Sequence, residues 1–160
     1  REGERNGENY YFVDDPQFDQ MIKDGEFLEH ADVFGKRYGS SRNEVDRCRA
    51  EGKDVILEID WQGADQVRRM LPDAVSVFIL PPSMAELESR LRGRGQDSQD
   101  AISTRLAEAE TDIAQAKRYD YLVVNEDFKR AHTELLSIVQ SARLRQERQS
   151  KRAAVAKLLG

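Results

Sequence analysis

DVILEIDWQG, residues Asp54 to Gly63, decides how this chain is read. Val55, Ile56 and Leu57 form a short apolar run of the kind that makes a buried strand, and Glu58 and Asp60 follow on one face of it, two positions apart. They stand at the strand's carboxyl end, which is where open α/β sheets place their ligands. Carboxylates at that point serve a ligand or a magnesium ion. The competing reading has both of them capping the helix that begins near Gly63.

Outward from this stretch the pattern is regular. A helix is expected over 42–51 before it, and a helix from Gly63 to Met70 after it. A second apolar strand, Val75 to Leu80, is stopped by Pro81 and Pro82. Ser83 is placed to cap a further helix, with Glu86 as its capping-box partner. That helix runs into RLRGRGQDS (90–98), where Gly93 and Gly95 predict a hinge or loop. Ile102, Leu106, Ala109, Ile113 and Ala116 then recur at helical spacing. Tyr121 to Val124 reads as another short strand, and a long final helix carries Phe128, Ala131, Leu135, Ile138, Val139 and Ala142 on its apolar side. Strands alternating with helices predict an α/β fold with a parallel sheet. The front of the chain departs from that rhythm. Tyr10, Tyr11, Phe12, Phe27 and Phe34 surround a helical segment from Pro16 to Asp24, predicting a small sheet with one helix.

Composition bounds the rest. The chain has 160 residues, 39% of them hydrophobic, which suits one compact unit. It has one cysteine, Cys48, and no internal disulfide can form. No apolar run approaches the roughly 20 residues needed to span a bilayer. A cytoplasmic setting is the expectation. The chain begins at Arg1 without methionine or a leader and reads as a fragment. A net charge of -5 argues against a general nucleic-acid or membrane-surface binder. The last 18 residues nonetheless hold six basic residues against Glu147 alone. Without interleaved aromatic side chains this basic end reads as a solvated helix terminus complementing its own dipole, in preference to an RNA grip. His30 and His132 have no zinc-type spacing. Trp61 reads as a core residue.

The candidate chemistry lies in the two excursions from the core. Arg90, Arg92, Arg94 and Arg105 gather planar, always-charged donors on a glycine-flexed element, which suits a lid over phosphates. The alternative is a solvated helix with Glu86–Arg90 and Glu88–Arg92 ion pairs, each worth about 0.2 to 0.5 kcal/mol. In the front excursion Arg1, Tyr10, Tyr38 and Ser40 are donors suited to a monophosphate. Glu29 sits among apolar residues in FLEHADVF. One carboxylate accepts both adjacent N–H donors of guanine's Watson–Crick edge, whereas adenine offers an acceptor there. Glu29 is therefore a candidate base reader, against the commoner role of an exposed strand glutamate.

GENYYFV (7–13), GEFLEHADVFGKRYGSS (25–41), DVILEIDWQG, FILPPS (78–83), RLRGRGQDS and YDYLVVNED (119–127), in this order, closely resemble the bacterial type of the guanylate kinase family. The resemblance covers nearly the whole chain. It implies a P-loop nucleoside monophosphate kinase fold, with a GMP-binding module at 1–41, core segments at 42–82 and 118–160, and a lid with its flanking helices at 83–117. It implies transfer of the γ-phosphoryl group of ATP to GMP, with magnesium held alongside ATP. Arg1, Tyr10 and Tyr38 would bind the GMP phosphate, and Glu29 and Ser40, with Asp60 nearby, would address guanine. Arg90, Arg94 and Arg105 would be the catalytic arginines. Asn125 would lie near the adenine, and Glu58, where the family usually has aspartate, near the magnesium and its waters.

One feature of the family is missing from these residues. No G-x-x-x-x-G-K-[ST] occurs in the chain, and with it the first core strand and its phosphate loop are expected to be absent. Self-association into a homo-oligomer is a further expectation, because a sheet without that strand exposes an apolar face. A guanylate-kinase-like module that binds a phosphorylated partner without catalysis is the second hypothesis. The retained lid arginines speak against it. Arg94→Ala in a full-length version separates the two. Turnover should collapse while nucleotide binding persists, and unchanged turnover would remove the lid arginines from catalysis.

Overall fold

The computed structural model describes residues 3–33, 35–93 and 98–159. Arg1, Phe34, Arg94 and Gly95, all singled out above, lie outside the described residues. The chain divides into two compact units, Arg1–Ala74 and Val75–Gly160, each with its own packing.

The first unit opens with α1 (Asp15–Lys23), which the sequence starts and stops by local chemistry. The Asp14 side chain accepts from the Gln17 N–H at 2.8 Å, and the Gln17 side chain accepts from the Asp14 N–H at 3.2 Å. This reciprocal box satisfies two donors that no helical carbonyl can reach, and Pro16 sits in the first turn, where its missing N–H costs nothing. β1 (Phe27–Val33) and β2 (Lys36–Ser41) form an antiparallel pair, so the expected small sheet with one helix is present. Glu29 faces Ser40, His30 faces Gly39 and Ala31 faces Tyr38, with a bulge between Phe27 and Glu29. Ser41 ends β2 and caps α2 (Arg42–Ala50) by accepting the Glu44 N–H at 3.3 Å.

The stretch that opened the reading behaves differently from expectation. Lys53 to Asp60 belongs to no strand among the described residues, and the buried apolar run is not buried: Ile56 is 72% exposed. With no ladder partner on either side, only alternate residues reach apolar company. Leu57 and Ile59 pack on the cluster of Leu28, Val45 and Val67, while Ile56 and Glu58 face away. The helix that follows, α3 (Trp61–Met70), is present as expected. It buries Gly63, Ala64 and Val67, and Trp61 is half-buried.

The second unit contains the parallel pairing predicted from the strand-helix alternation. β3 (Val77–Leu80) and β4 (Tyr121–Val124) run parallel with Ile79 opposite Val123. The pair is fastened at its start, where the Asp120 carboxylate accepts both the Ser76 N–H at 2.8 Å and the Ser76 hydroxyl at 2.7 Å. Between the strands lie α4 (Met84–Gly93), α5 (Gln99–Ala114) and a short 3-10 turn, Ala116–Arg118. Ser83 caps α4 by accepting the Glu86 N–H at 3.1 Å, but the Glu86 carboxylate turns to Arg90 instead of closing the expected box. Gly93 is the last residue of α4 and not a loop residue. Beyond β4 come α6 (Phe128–Arg143), α7 (Gln146–Gln149) and α8 (Ala153–Leu159). On α6 Ala131 and Ala142 are buried as expected, while Phe128 is 74% exposed, stacking on His132 one turn along.

Within the hairpin, Gly39 is required by its neighbour. A Cβ there would lie 2.6 Å from the Phe27 ring, which is itself packed 4.7 Å from the ring of Phe18. Gly39→Ala is expected to lower stability by about 1 to 3 kcal/mol, because an inserted carbon in a packed spot forces ring and backbone apart. A urea melt measures this, and an unchanged midpoint would show that the Phe27 ring moves aside freely.

Candidate nucleotide site

In the first unit the sequence-predicted residues Glu29, Ser40 and Asp60 come together. Glu29 is only 3% exposed, against the commoner expectation of a surface strand glutamate. The Ser40 hydroxyl, directly across the hairpin, donates to its carboxylate at 2.6 Å. Burial pushes the Glu29 carboxyl above its ordinary range. The Ser40 hydroxyl and backbone N–H oppose that rise, the negative charge of Asp60 adds to it, and His30 opposes it weakly. Desolvation leads these effects, so the charge on Glu29 is incompletely compensated by the protein.

Asp60 has a defined local task. Its Oδ1 accepts the Gly63 N–H at 2.8 Å and its Oδ2 accepts from the Gln62 side chain at 3.2 Å. The capping alternative therefore describes Asp60, which is the N-cap of α3. Glu58 takes no part in the cap and is exposed. Tyr10 and Tyr38 stand beside each other with ring centroids 5.8 Å apart, 47% and 42% exposed. Phe12 extends the group at 6.0 Å from Tyr10.

Three residues of this site carry roles that the reading of the sequence missed. Gly63 lets α3 approach the carboxylate, since a Cβ there would stand only 2.5 Å from Glu29 Oε2. Gln66, one turn further on α3, donates to the His30 carbonyl at 2.7 Å and accepts the His30 N–H at 3.2 Å. Arg37 joins β2 to α1: it donates to Asp19 at 2.6 Å and to Asp15 at 3.4 Å, and its guanidinium lies 4.4 Å from the centre of the Phe18 ring. The spacing of Asp15 and Asp19, four apart on one helix face, was the available sign for Arg37. Gly63 and Gln66 had no such sign, because each answers to a contact more than thirty positions away.

In the second unit, Arg90 and Asn125 meet. Arg90 Nε donates to Glu86 at 2.7 Å and Nη1 donates to the Asn125 backbone carbonyl at 2.7 Å. The Asn125 N–H in turn donates to the Leu80 carbonyl at 2.8 Å, extending the β3–β4 ladder. A cavity of about 210 Å³ opens here, lined by Leu80, Leu87 and Leu91 with Arg90 and Asn125. Arg92 is engaged by Glu88 at 2.7 Å and by Gln99 at 2.6 Å. Both anticipated ion pairs along α4 thus form, and Arg90 has the further tie to Asn125. Arg105 is half-buried on α5.

The raised carboxyl of Glu29 has a consequence for stability. The folded chain holds that proton more tightly than the unfolded chain, so the contribution of Glu29 is largest below the ordinary value of 4.5 and is lost as pH rises through the raised value. Glu29→Gln keeps an acceptor for Ser40 and removes the titration. It should be more stable than the native chain near neutral pH, with the difference shrinking as pH falls toward 4.5. Denaturant midpoints across pH check this, and a pH-independent difference would contradict it.

Comparison with known proteins places the chain in a family. The family model described as Guanylate kinase matches residues 1–142. The guanylate kinase of Escherichia coli strain K12 is 51% identical over 161 aligned positions, which take in 99% of this chain and 78% of that protein. The guanylate kinase of Photorhabdus laumondii is likewise 51% identical with the same coverage. The crystal structure of guanylate kinase from Anaplasma phagocytophilum superposes with a TM-score of 0.82 at 35% identity, covering 99% of this chain and 77% of that one. With a family model spanning most of its length and half its residues shared with such relatives, the chain belongs to the guanylate kinase family.

Proposed function

We propose that the protein carrying this chain transfers the γ-phosphoryl group of ATP to GMP, giving ADP and GDP, and does so in the cytoplasm. The observation that carries the substrate choice is the buried Glu29 carboxylate, held by Ser40 and still short of compensating donors. A desolvated carboxylate of this kind gains most from a ligand that brings two N–H groups at once, and the N1–H and exocyclic amine of guanine do so. Adenine presents an unprotonated ring nitrogen at the same place and is repelled. Ser40 orients the carboxylate, and Asp60, one helix end away, keeps the local potential negative toward the same donors.

Tyr10 and Tyr38, both exposed and with neighbouring rings, would donate through their phenolic hydroxyls, with Arg1, to the GMP phosphate. Arg90, Arg94 and Arg105 would stabilise the charge that spreads over the transferred group's oxygens. Arg90 is suited to this by its anchorage: with Nε and Nη1 held by Glu86 and Asn125, its guanidinium plane is fixed before a phosphate arrives. Asn125, at the end of β4, would lie on the adenine side. In this scheme 1–41 serves GMP, 83–117 serves as the lid, and 42–82 and 118–160 serve as the core.

Among the described residues no group of three or more His, Cys, Asp or Glu side chains is gathered as a metal cage. Magnesium carried by ATP keeps most of its waters and takes one or two carboxylates from the protein. Glu58, single and exposed, would face those waters. When bound, the ion supplies charge neutralisation on the β and γ phosphates.

Binding and turnover test different parts of the proposal. Titration calorimetry should give GMP binding at least about tenfold tighter than AMP, from a site that pairs with substrate N–H groups, and Glu29→Gln should abolish that preference. Equal affinities in the native chain would overturn the base assignment. Because the 160 residues contain no G-x-x-x-x-G-K-[ST], they alone are expected to yield no GMP-dependent ADP. Turnover by purified material free of other kinases would contradict that.

A further inference from the structure

Glu29 stands immediately beside a β-bulge. The β1–β2 pairing shifts register between Phe27 and Glu29, so the ladder is continuous from Glu29 onward, through its pairing with Ser40, and interrupted just before it. On the edge of β1 away from β2, Gln66 takes both backbone polar groups of the next residue, donating to the His30 carbonyl at 2.7 Å and accepting the His30 N–H at 3.2 Å. A primary amide used this way imitates the missing neighbour strand for one residue. Gln66 stands on α3 one turn beyond Gly63, the residue whose lack of a side chain admits Glu29 Oε2. The helix therefore holds the strand at His30 and receives its neighbour's carboxylate at Gly63. Distance and direction between α3 and Glu29 are set by those two contacts together.

We propose that Gln66 is a positioning residue for base selectivity: its two hydrogen bonds to the His30 backbone hold Glu29 where one carboxylate meets both N–H donors of guanine. This rests on the assignment of Glu29 as the base reader. Bidentate pairing is more sensitive to aim than a single hydrogen bond, because both donors must be reached in one plane. A Glu29 carboxylate that drifts with its strand still carries its charge but loses the second bond. Guanine affinity then falls, while the affinity of a nucleotide that never made the pair is unaffected.

The test compares GMP and AMP binding by calorimetry in the native chain, in Gln66→Met, which keeps length and removes both hydrogen bonds, and in Gln66→Glu. The latter keeps an acceptor for the His30 N–H and loses the donor to the carbonyl. Gln66→Met should weaken GMP binding by about five- to tenfold, the scale of a lost hydrogen bond or two, with AMP binding unchanged. Gln66→Glu should lose selectivity as well, since a carboxylate cannot donate to the His30 carbonyl. Circular dichroism establishes that each variant is folded, and if Gln66→Met is not, Gln66→Glu decides alone. Equal loss for both nucleotides, or an unchanged GMP-to-AMP ratio, overturns the positioning role. Absence of any GMP preference in the native chain instead overturns the underlying assignment of Glu29, so the two failures are separate.

Discussion

One carboxylate kept out of water organises the first unit. Removing an ionised group from solvent costs several kcal/mol unless donors replace the lost hydration, and Glu29 has been given only part of that replacement. The neighbouring structure is arranged around this deficit. The hairpin register puts Ser40 opposite Glu29, and the N-terminus of α3 arrives with a glycine at the point of closest approach. Asp60 caps that helix at the same point, so its charge raises the cost of ionising Glu29. A site built in this way is less stable empty than an apolar one would be, and the deficit becomes a preference for a ligand that supplies N–H groups.

The second unit solves a different problem, holding a cation in place. Arg90 has a long, flexible side chain, and left in solvent its entropy would have to be lost on each encounter with a phosphate. Glu86 one turn back and the Asn125 carbonyl at the end of β4 remove much of that freedom in advance. The contact to the Asn125 carbonyl also joins α4 to the end of β4, so the helix carrying the arginines is connected to the sheet through one of them. The ion-pair reading and the phosphate-binding reading of this helix are compatible: the pairs supply the orientation that phosphate binding uses.

Much of this was legible in the sequence because it is local. The capping box at Asp14 and Gln17, the cap at Ser83, the parallel pair Val77–Leu80 and Tyr121–Val124, and the helix periodicities all depend on residues within a few positions of one another or on plain apolar runs. The stretch from Asp54 was misread for a physical reason. Apolar residues state that a segment could be buried, but burial on both faces requires neighbours on both sides, and a single sequence does not contain that information. Phe128 failed in the same way: helical phase placed it on the apolar side, whereas in the structure its ring is exposed and stacks on His132. In the site, Glu29 was singled out from residue type and context, while Ser40, read there as a phosphate donor, was joined to it only by the family resemblance. Gly63 and Gln66 were not, because an interior helical glycine and a surface-type glutamine look ordinary until a strand thirty positions away is laid against them.

The approach at Gly63 has a consequence for how such a site changes over generations. With the carboxylate 2.5 Å from where a Cβ would stand, positions 29 and 63 share one small volume. A methyl group at 63 requires the end of the Glu29 side chain to swing away or the acid to shorten, and either change moves the carboxylate off the place where Ser40 holds it. The two positions are therefore coupled through one small volume, and a change at one sets a requirement on the other.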